Sequence, residues 1–231
     1  MLMRLNLDKI EHPVHCYYPA SGEHYFRRLR YSTSYRECIE VVEHPIAQPG
    51  VVEEGDRFLI EAFSLSHGIE NLAFRITQKE VLRFDKKKLI ERNISGSLVK
   101  TLEKEGKVRV GSQDTYLPEV SFLQKGETFS IVIDTLPCQG ALEASRNATL
   151  LLCESTYLER HHHLAKKYFH MTAREAAELA KKAGVEQLIL THFSARYSNL
   201  NEFEEEARAI FPNTFAADDL KVFPFLKRRA S

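Results

Sequence analysis

No apolar run in these 231 residues approaches the roughly 18 that a membrane-spanning helix needs. The opening stretch MLMRLNLDKIEHP also lacks the apolar core of a secretory signal peptide. Net charge is absent too: 32 Lys and Arg stand against 32 Asp and Glu. That balance excludes a uniformly cationic coat for nucleic acid but leaves room for a local basic patch. The four cysteines, Cys16, Cys38, Cys138 and Cys153, lie far apart without a C-x-x-C pair, so neither a disulfide framework nor a zinc knuckle is encoded. These absences describe a reduced, cytoplasmic protein with no membrane partner. Repeats and low-complexity linkers are missing as well. With 43% apolar residues, the chain is long enough for one large domain or two small ones.

What is present is histidine, ten of them, together with a strongly patterned second half. The first 65 residues read as short strands and loops. VVEHPI (41–46) and FLIEAFSLS (58–66) flank a Gln48-Pro49-Gly50 turn, with 51–66 a hairpin about Glu54-Gly55-Asp56. NLAFRIT (71–77) alternates as a half-buried strand does. From Lys79 to Lys107 the character changes: nine basic residues face five acidic ones, Lys86-Lys87-Lys88 forms a run, and Ser95-Gly96-Ser97 breaks the segment. This reads either as a solvated helix-turn-helix insertion or as a mobile basic arm that neutralises phosphates without reading bases.

The last hundred residues are the most legible. FSIVID (129–134) and ATLLLCEST (148–156) are apolar runs reaching an acid, and QLILTH (187–192) ends in a histidine. Such runs suit strands covered on both faces. Between the last two, Ala173, Ala176, Ala177, Ala180 and Ala183 share one face of a helix from Ala173 to Gly184. Thr172 and Glu175 make its capping box, and Gly184 ends it. Strand, helix, strand means a βαβ unit and an α/β layer.

Ligands in such sheets gather outside the carboxyl ends of the strands. Three runs deliver Asp134, Glu154 and His192 there, His170 precedes the helix cap, and His67 follows FSLS before Gly68. Asp134, His67 and His192 could therefore form one metal-binding rim with Glu154 and His170 behind it. That donor set suits zinc or manganese and permits a carboxylate bridge between two ions. The bland alternative stands beside it, since a strand-end histidine is often a satisfied core or surface residue, and a strand-end aspartate is often a cap. His161-His162-His163 reads as a solvated helical face.

FSLSHGIENLAFRI (63–76), VIDTLPCQGAL (132–142), LLLCESTY (150–157), the long block from Phe169 to Tyr197 containing LTHFSARY, and FPNTFAADDL (211–220) resemble ribonuclease Z, the tRNA 3′-processing endoribonuclease of the metallo-β-lactamase superfamily. The resemblance implies a metallo-β-lactamase-like αβ/βα sandwich as a single domain over 1–231, with a basic, arm-like insertion at about 79–107. It implies metal ligands His67, Asp134 and His192 for a two-zinc centre, with manganese as the other candidate. Glu154 and His170 would help protonate the leaving group. Lys86, Lys87, Lys88, Arg92 and Arg196 would hold RNA, with precursor tRNA the substrate and a homodimer the assembly.

Three departures accompany the match. The family's Ser-Gly-Asp-Thr is Val-Ile-Asp-Thr here, and its H-E-A-T is Cys153-Glu154-Ser155-Thr156. The superfamily signature H-x-H-x-D-H does not occur, and His12, His15, His24 and His44 lack the spacing to replace it, with His12-x-x-His15 read as a loop beside Pro13. The expectation is an N-terminally short chain that lacks the first strands and leaves apolar sheet surface exposed. Two other readings stay open: a non-catalytic RNA-binding or dimer-forming remnant, and a metallo-hydrolase acting on another phosphodiester.

Overall fold

The computed structural model describes residues 1–34 and 36–224; Tyr35 and 225–231, which the single-domain reading includes, lie outside the described residues. Along the chain come α1 (Leu2–Leu7), β1 (Val14–Pro19), α2 (Glu23–Arg30), β2 (Val41–Ile46), β3 (Gly50–Glu54), β4 (Phe58–Ser64) and β5 (Leu72–Gln78). Next are β6 (Val81–Phe84), α3 (Lys86–Glu91), α4 (Ser97–Glu105), β7 (Lys107–Val110), β8 (Gln113–Tyr116), α5 (Leu117–Val120) and β9 (Ser121–Gln124). The chain continues through β10 (Thr128–Val132), α6 (Gln139–Ser145), β11 (Leu150–Glu154), α7 (His162–Tyr168), α8 (Ala173–Ala183), β12 (Gln187–Thr191), α9 (Asn201–Arg208) and β13 (Thr214–Ala216). Two compact units result: Met1–Thr77 with the described residues from Thr128 onward, and Gln78–Glu127.

The larger unit is organised by a seven-stranded sheet in the order β13-β12-β11-β10-β5-β4-β3. Strands β10 to β13 run parallel and β5 joins β10 antiparallel. The register sets Val132 beside Cys153 and Cys153 beside Leu190, with Leu151 opposite Leu188. That row, together with Ala141, Ala144, Ala176, Ala177, Ala180 and Phe203 of α6, α8 and α9, forms the fully buried core. The alanine stripe explains the close seating of α8, because a helix whose inward face carries only methyl groups can approach a sheet without voids. The capping box of Thr172 and Glu175 and the left-handed Gly184 are both in place. On the opposite face, Phe74, Ile76, Phe129, Ile131 and Leu152 are only half-buried.

The first turn of α6 depends on a glycine. A Cβ on Gly140 would stand 1.8 Å from the carbonyl oxygen of Ser64 at the end of β4. Main chain cannot move aside as a side chain can, so Gly140→Ala should cost about 1–3 kcal/mol or more, read by chemical denaturation. An unchanged midpoint would show that α6 does not need this close approach.

The amino-terminal region differs from its reading as strands and loops alone. Helices α1 and α2 form there, and His15 lies in β1, not in a loop. Strand β1 exists because β2 pairs with it in parallel, Val14 with Val41 through Pro19 with Ile46, a partner 27 residues away that no local signal announces. For α2 the signal was present: Glu23 and Arg27 form an i,i+4 ion pair at 2.7 Å. Among the described residues no helix is long and apolar enough to cross a membrane.

The second unit contains the basic segment 79–107 and runs twenty residues past it. Helices α3 and α4 flank the expected break. They close a small core of Leu89, Ile94, Leu102, Val108 and Val120, whose last two members come from β7 and α5. The apolar residues looked sparse over 79–107 because part of the core lies downstream of that segment. Lys86, Lys87 and Lys88 are exposed. Asp85 caps their helix by accepting from the backbone N–H groups of Lys87 and Lys88. Arg92 places its guanidinium 3.1 Å from Glu119.

Candidate metal centre

The carboxyl ends of the strands converge as the sheet topology requires. Asp134 follows β10 in a left-handed conformation (φ 57°), and Asn71 fixes that turn by donating to the carbonyls of Ile133 (2.8 Å) and Asp134 (2.7 Å). His192 follows β12, also left-handed (φ 60°). His170 sits between α7 and α8, directly after left-handed Phe169 (φ 61°), the residue that terminates α7. Non-glycine residues in this region store strain, and here three of them surround one pocket of side chains. His67 arrives on the loop between β4 and β5, which is stitched to the Asp134 turn by Ser66 N–H donating to Thr135 Oγ1 (3.0 Å) and by Leu136 N–H donating to the Ser66 carbonyl (2.9 Å).

Among the described residues, one atom each from Asp134, His170 and His192 lie within 4.8 Å of one another. His192 Nε2 is 3.1 Å from Asp134 Oδ1, while His170 approaches the same oxygen only at 3.8 Å and through Nδ1. The three histidines form a row, with His170 in the middle: its ring centroid is 5.4 Å from that of His67 and 5.3 Å from that of His192. The expected ligand set of His67, Asp134 and His192 is therefore spread across this row, and His170 is nearer to Asp134 than that set implied. Imidazole nitrogens beside a carboxylate are the donor chemistry zinc takes, so the residues present fit such an ion.

Glu154 is wholly buried and acts as the hub behind the row. It accepts from the backbone N–H of Thr135 and of Met171, from the Thr156 hydroxyl and from His170 Nδ1 at 3.1 Å. A buried carboxylate survives only with such a set of donors. Neighbouring Cys153, which stands where the family has histidine, packs in the core instead. Burial and the Glu154 charge push its thiol well above the ordinary range.

At the rim, the Arg196 guanidinium lies 5.4 Å over the Tyr157 ring, and Tyr157 lies 6.2 Å from His170, which places a cation two rings from the centre. The histidine triplet stands apart from it. His162 and His163 are exposed, and His161 shares a 2.7 Å hydrogen bond with the Tyr197 hydroxyl. Desolvation and the neighbouring Arg196 and Arg160 lower the His161 pKa. Sequence reasoning missed Asn71, Thr135 and Thr156. Thr135 and Thr156 carried a signal, as the threonines retained in Val-Ile-Asp-Thr and Cys153-Glu154-Ser155-Thr156, and Asn71 carried none.

No protein-family model matches the chain. Individual relatives do: it is 60% identical to the ribonuclease Z of Protochlamydia amoebophila over 227 residues, 98% of this chain and 74% of that protein. It is 52% identical to the ribonuclease Z of Chlamydia pneumoniae, again over 98% of this chain and 74% of the relative. The chain belongs to the ribonuclease Z family. Solved structures agree on the fold. The short form of human tRNase Z superposes with a TM-score of 0.63 at 19% identity, covering 97% of this chain and 72% of that one. The metallo-β-lactamase-fold protein YhfI from Bacillus subtilis superposes with a TM-score of 0.59 at 18% identity, covering 94% and 68%. The mixed sheet is thus that of a metallo-β-lactamase-like fold in a ribonuclease Z family member.

Proposed function

We propose that the chain is a metal-dependent endoribonuclease that processes the 3′ end of precursor tRNA at the Asp134–His170–His192 centre. Its similarity to ribonucleases Z along nearly its whole length carries this reading, and the convergence of a carboxylate and imidazoles on one point supports it. Asp134, His192 and His67 would hold a zinc ion, and manganese is the second candidate. When bound, the ion supplies Lewis-acid polarisation of the scissile phosphodiester. As water adds to phosphorus and the P–O bond breaks, His170, held at Nδ1 by Glu154 and protonated at Nε2, would deliver that proton to the leaving 3′ oxygen. Arg196 steadies a phosphate at the rim. Four free cysteines suit a cytoplasmic setting. A homodimer belongs to the same proposal: the half-buried row Phe74, Ile76, Phe129 and Ile131 supports a covered sheet face, and light scattering checks it.

Precursor tRNA incubated with the chain and zinc should be cut at the 3′ side of the acceptor stem, and a chelator should stop the cut. Binding without any cleavage would favour the RNA-binding remnant. Cleavage of small phosphodiesters in preference to tRNA would favour the other hydrolase reading.

The exposed lysine run makes a separate, graded prediction. Replacing Lys86, Lys87 and Lys88 together by alanine should weaken tRNA binding most at low salt. It should also flatten the slope of log affinity against log salt by about 0.7–0.9 for each phosphate that is no longer neutralised. An unaltered slope would remove these lysines from the RNA surface.

A further inference from the structure

We propose that Thr156 is a positioning residue that fixes the tautomer of His192, so that one buried carboxylate orders two histidines of the centre, His170 directly and His192 through a hydroxyl. Only its consequence for zinc rests on the function proposed above; the tautomer itself does not.

The hydrogens around Glu154 decide the direction of each bond. Its carboxylate receives backbone N–H groups, the His170 Nδ1 group and the Thr156 hydroxyl, whose oxygen is 2.6 Å from Oε2. A carboxylate surrounded in this way has no hydrogen to give. A threonine hydroxyl carries one hydrogen, and here Glu154 takes it. Only lone pairs remain on Thr156 Oγ1, and His192 Nδ1 lies 2.8 Å from that oxygen. The hydrogen between them must come from the ring. His192 is therefore held with Nδ1–H and a bare Nε2, the reverse of the tautomer free histidine favours in water.

The bare nitrogen is the one that faces Asp134 Oδ1 at 3.1 Å. Two acceptors this close repel unless a positive centre lies between or beside them, so the tautomer turns a potential hydrogen bond into a cation site. The same polarity runs along the row: His67 Nδ1 lies 3.1 Å from the Phe169 carbonyl, an acceptor that fixes its hydrogen there too. His170 follows the pattern through Glu154, and all three rings leave Nε2 free. Thr156 is the most consequential of these outer partners, because it is buried and holds Nδ1 of a side chain that is itself 40% exposed.

The test reads the ring directly in metal-free protein by 15N NMR at about pH 8, above the ordinary histidine range. The unaltered chain and Thr156→Ser should show His192 protonated at Nδ1. Thr156→Val, which keeps the shape and removes the acceptor, should show it protonated at Nε2. Zinc affinity, measured by competition with a chromophoric chelator, should fall roughly tenfold or more in Thr156→Val and recover in Thr156→Ser. Circular dichroism confirms folding, and should the valine variant not fold, the tautomer of the unaltered chain still decides. Nε2 protonation in the unaltered chain, or Nδ1 protonation surviving in Thr156→Val, overturns the proposal. A tautomer that switches as described without any change in zinc affinity would uphold the role of Thr156 and count against the metal centre.

Discussion

The Asp134→Asn protein is expected to fold as the unaltered chain does and to bind zinc at least about a hundredfold more weakly, beyond the roughly 10–100-fold that outer partners of a ligand cost. Asparagine is the right replacement because residue 134 is left-handed, at φ 57°, where Asn and Asp are the side chains that fit with least strain. The turn is held by Asn71 donating to main-chain carbonyls, which the substitution leaves alone. What changes is one charged oxygen, the atom 3.1 Å from His192 Nε2. Isothermal titration of the metal-free protein with zinc measures the loss, and equal affinity in the two proteins would falsify the assignment of Asp134 as a ligand.

His170→Ala should lower the rate of precursor tRNA cleavage by about 10²–10⁴, the range a positioned proton donor supplies, while zinc content stays near that of the unaltered chain. The second half of that statement separates two roles, since His170 also lies within 4.8 Å of the other members of the acid–histidine cluster. The geometry sets His170 apart from the Asp134–His192 pair and leaves its Nε2 free for either role. Nδ1 is engaged with Glu154 at 3.1 Å, the approach to Asp134 is longer at 3.8 Å, and it is made through that same occupied nitrogen. Elemental analysis beside single-turnover kinetics decides the point. Zinc lost in proportion to activity would make His170 a ligand instead. Glu154→Gln should reproduce part of the rate loss, because an amide cannot hold the imidazole hydrogen and two backbone N–H groups as a carboxylate does.

Strands β10, β11 and β12 could be read from the sequence because each was a short apolar run reaching a polar residue, and the helix between the last two made them a parallel pair. The helix Ala173–Ala183 was equally legible, with its cap, its alanine face and its terminating glycine written in consecutive residues. Asp134, His192 and Glu154 were legible as strand-end polar residues. Their chemistry was not, because nothing in the spacing says that Asn71 pins one turn or that Thr156 lies between Glu154 and His192. The hydrogen bonds concerned join residues up to 63 positions apart. Arg92 shows the same limit: its ion pair with Glu119, 27 residues further on, has no local signal in the basic segment.

By itself the sequence determined the α/β layer, the carboxyl-edge location of the polar residues and, through its resemblance, the family. Local periodicity and capping encode these features over a few residues at a time. Only the tertiary structure decided which polar residues meet. It set His170 between His67 and His192, paired Arg92 with Glu119, and put a threonine hydroxyl between a buried carboxylate and a histidine. The physical reason is that hydrogen-bond direction depends on which donor has no other acceptor, and that count can be made only when every neighbour is in place.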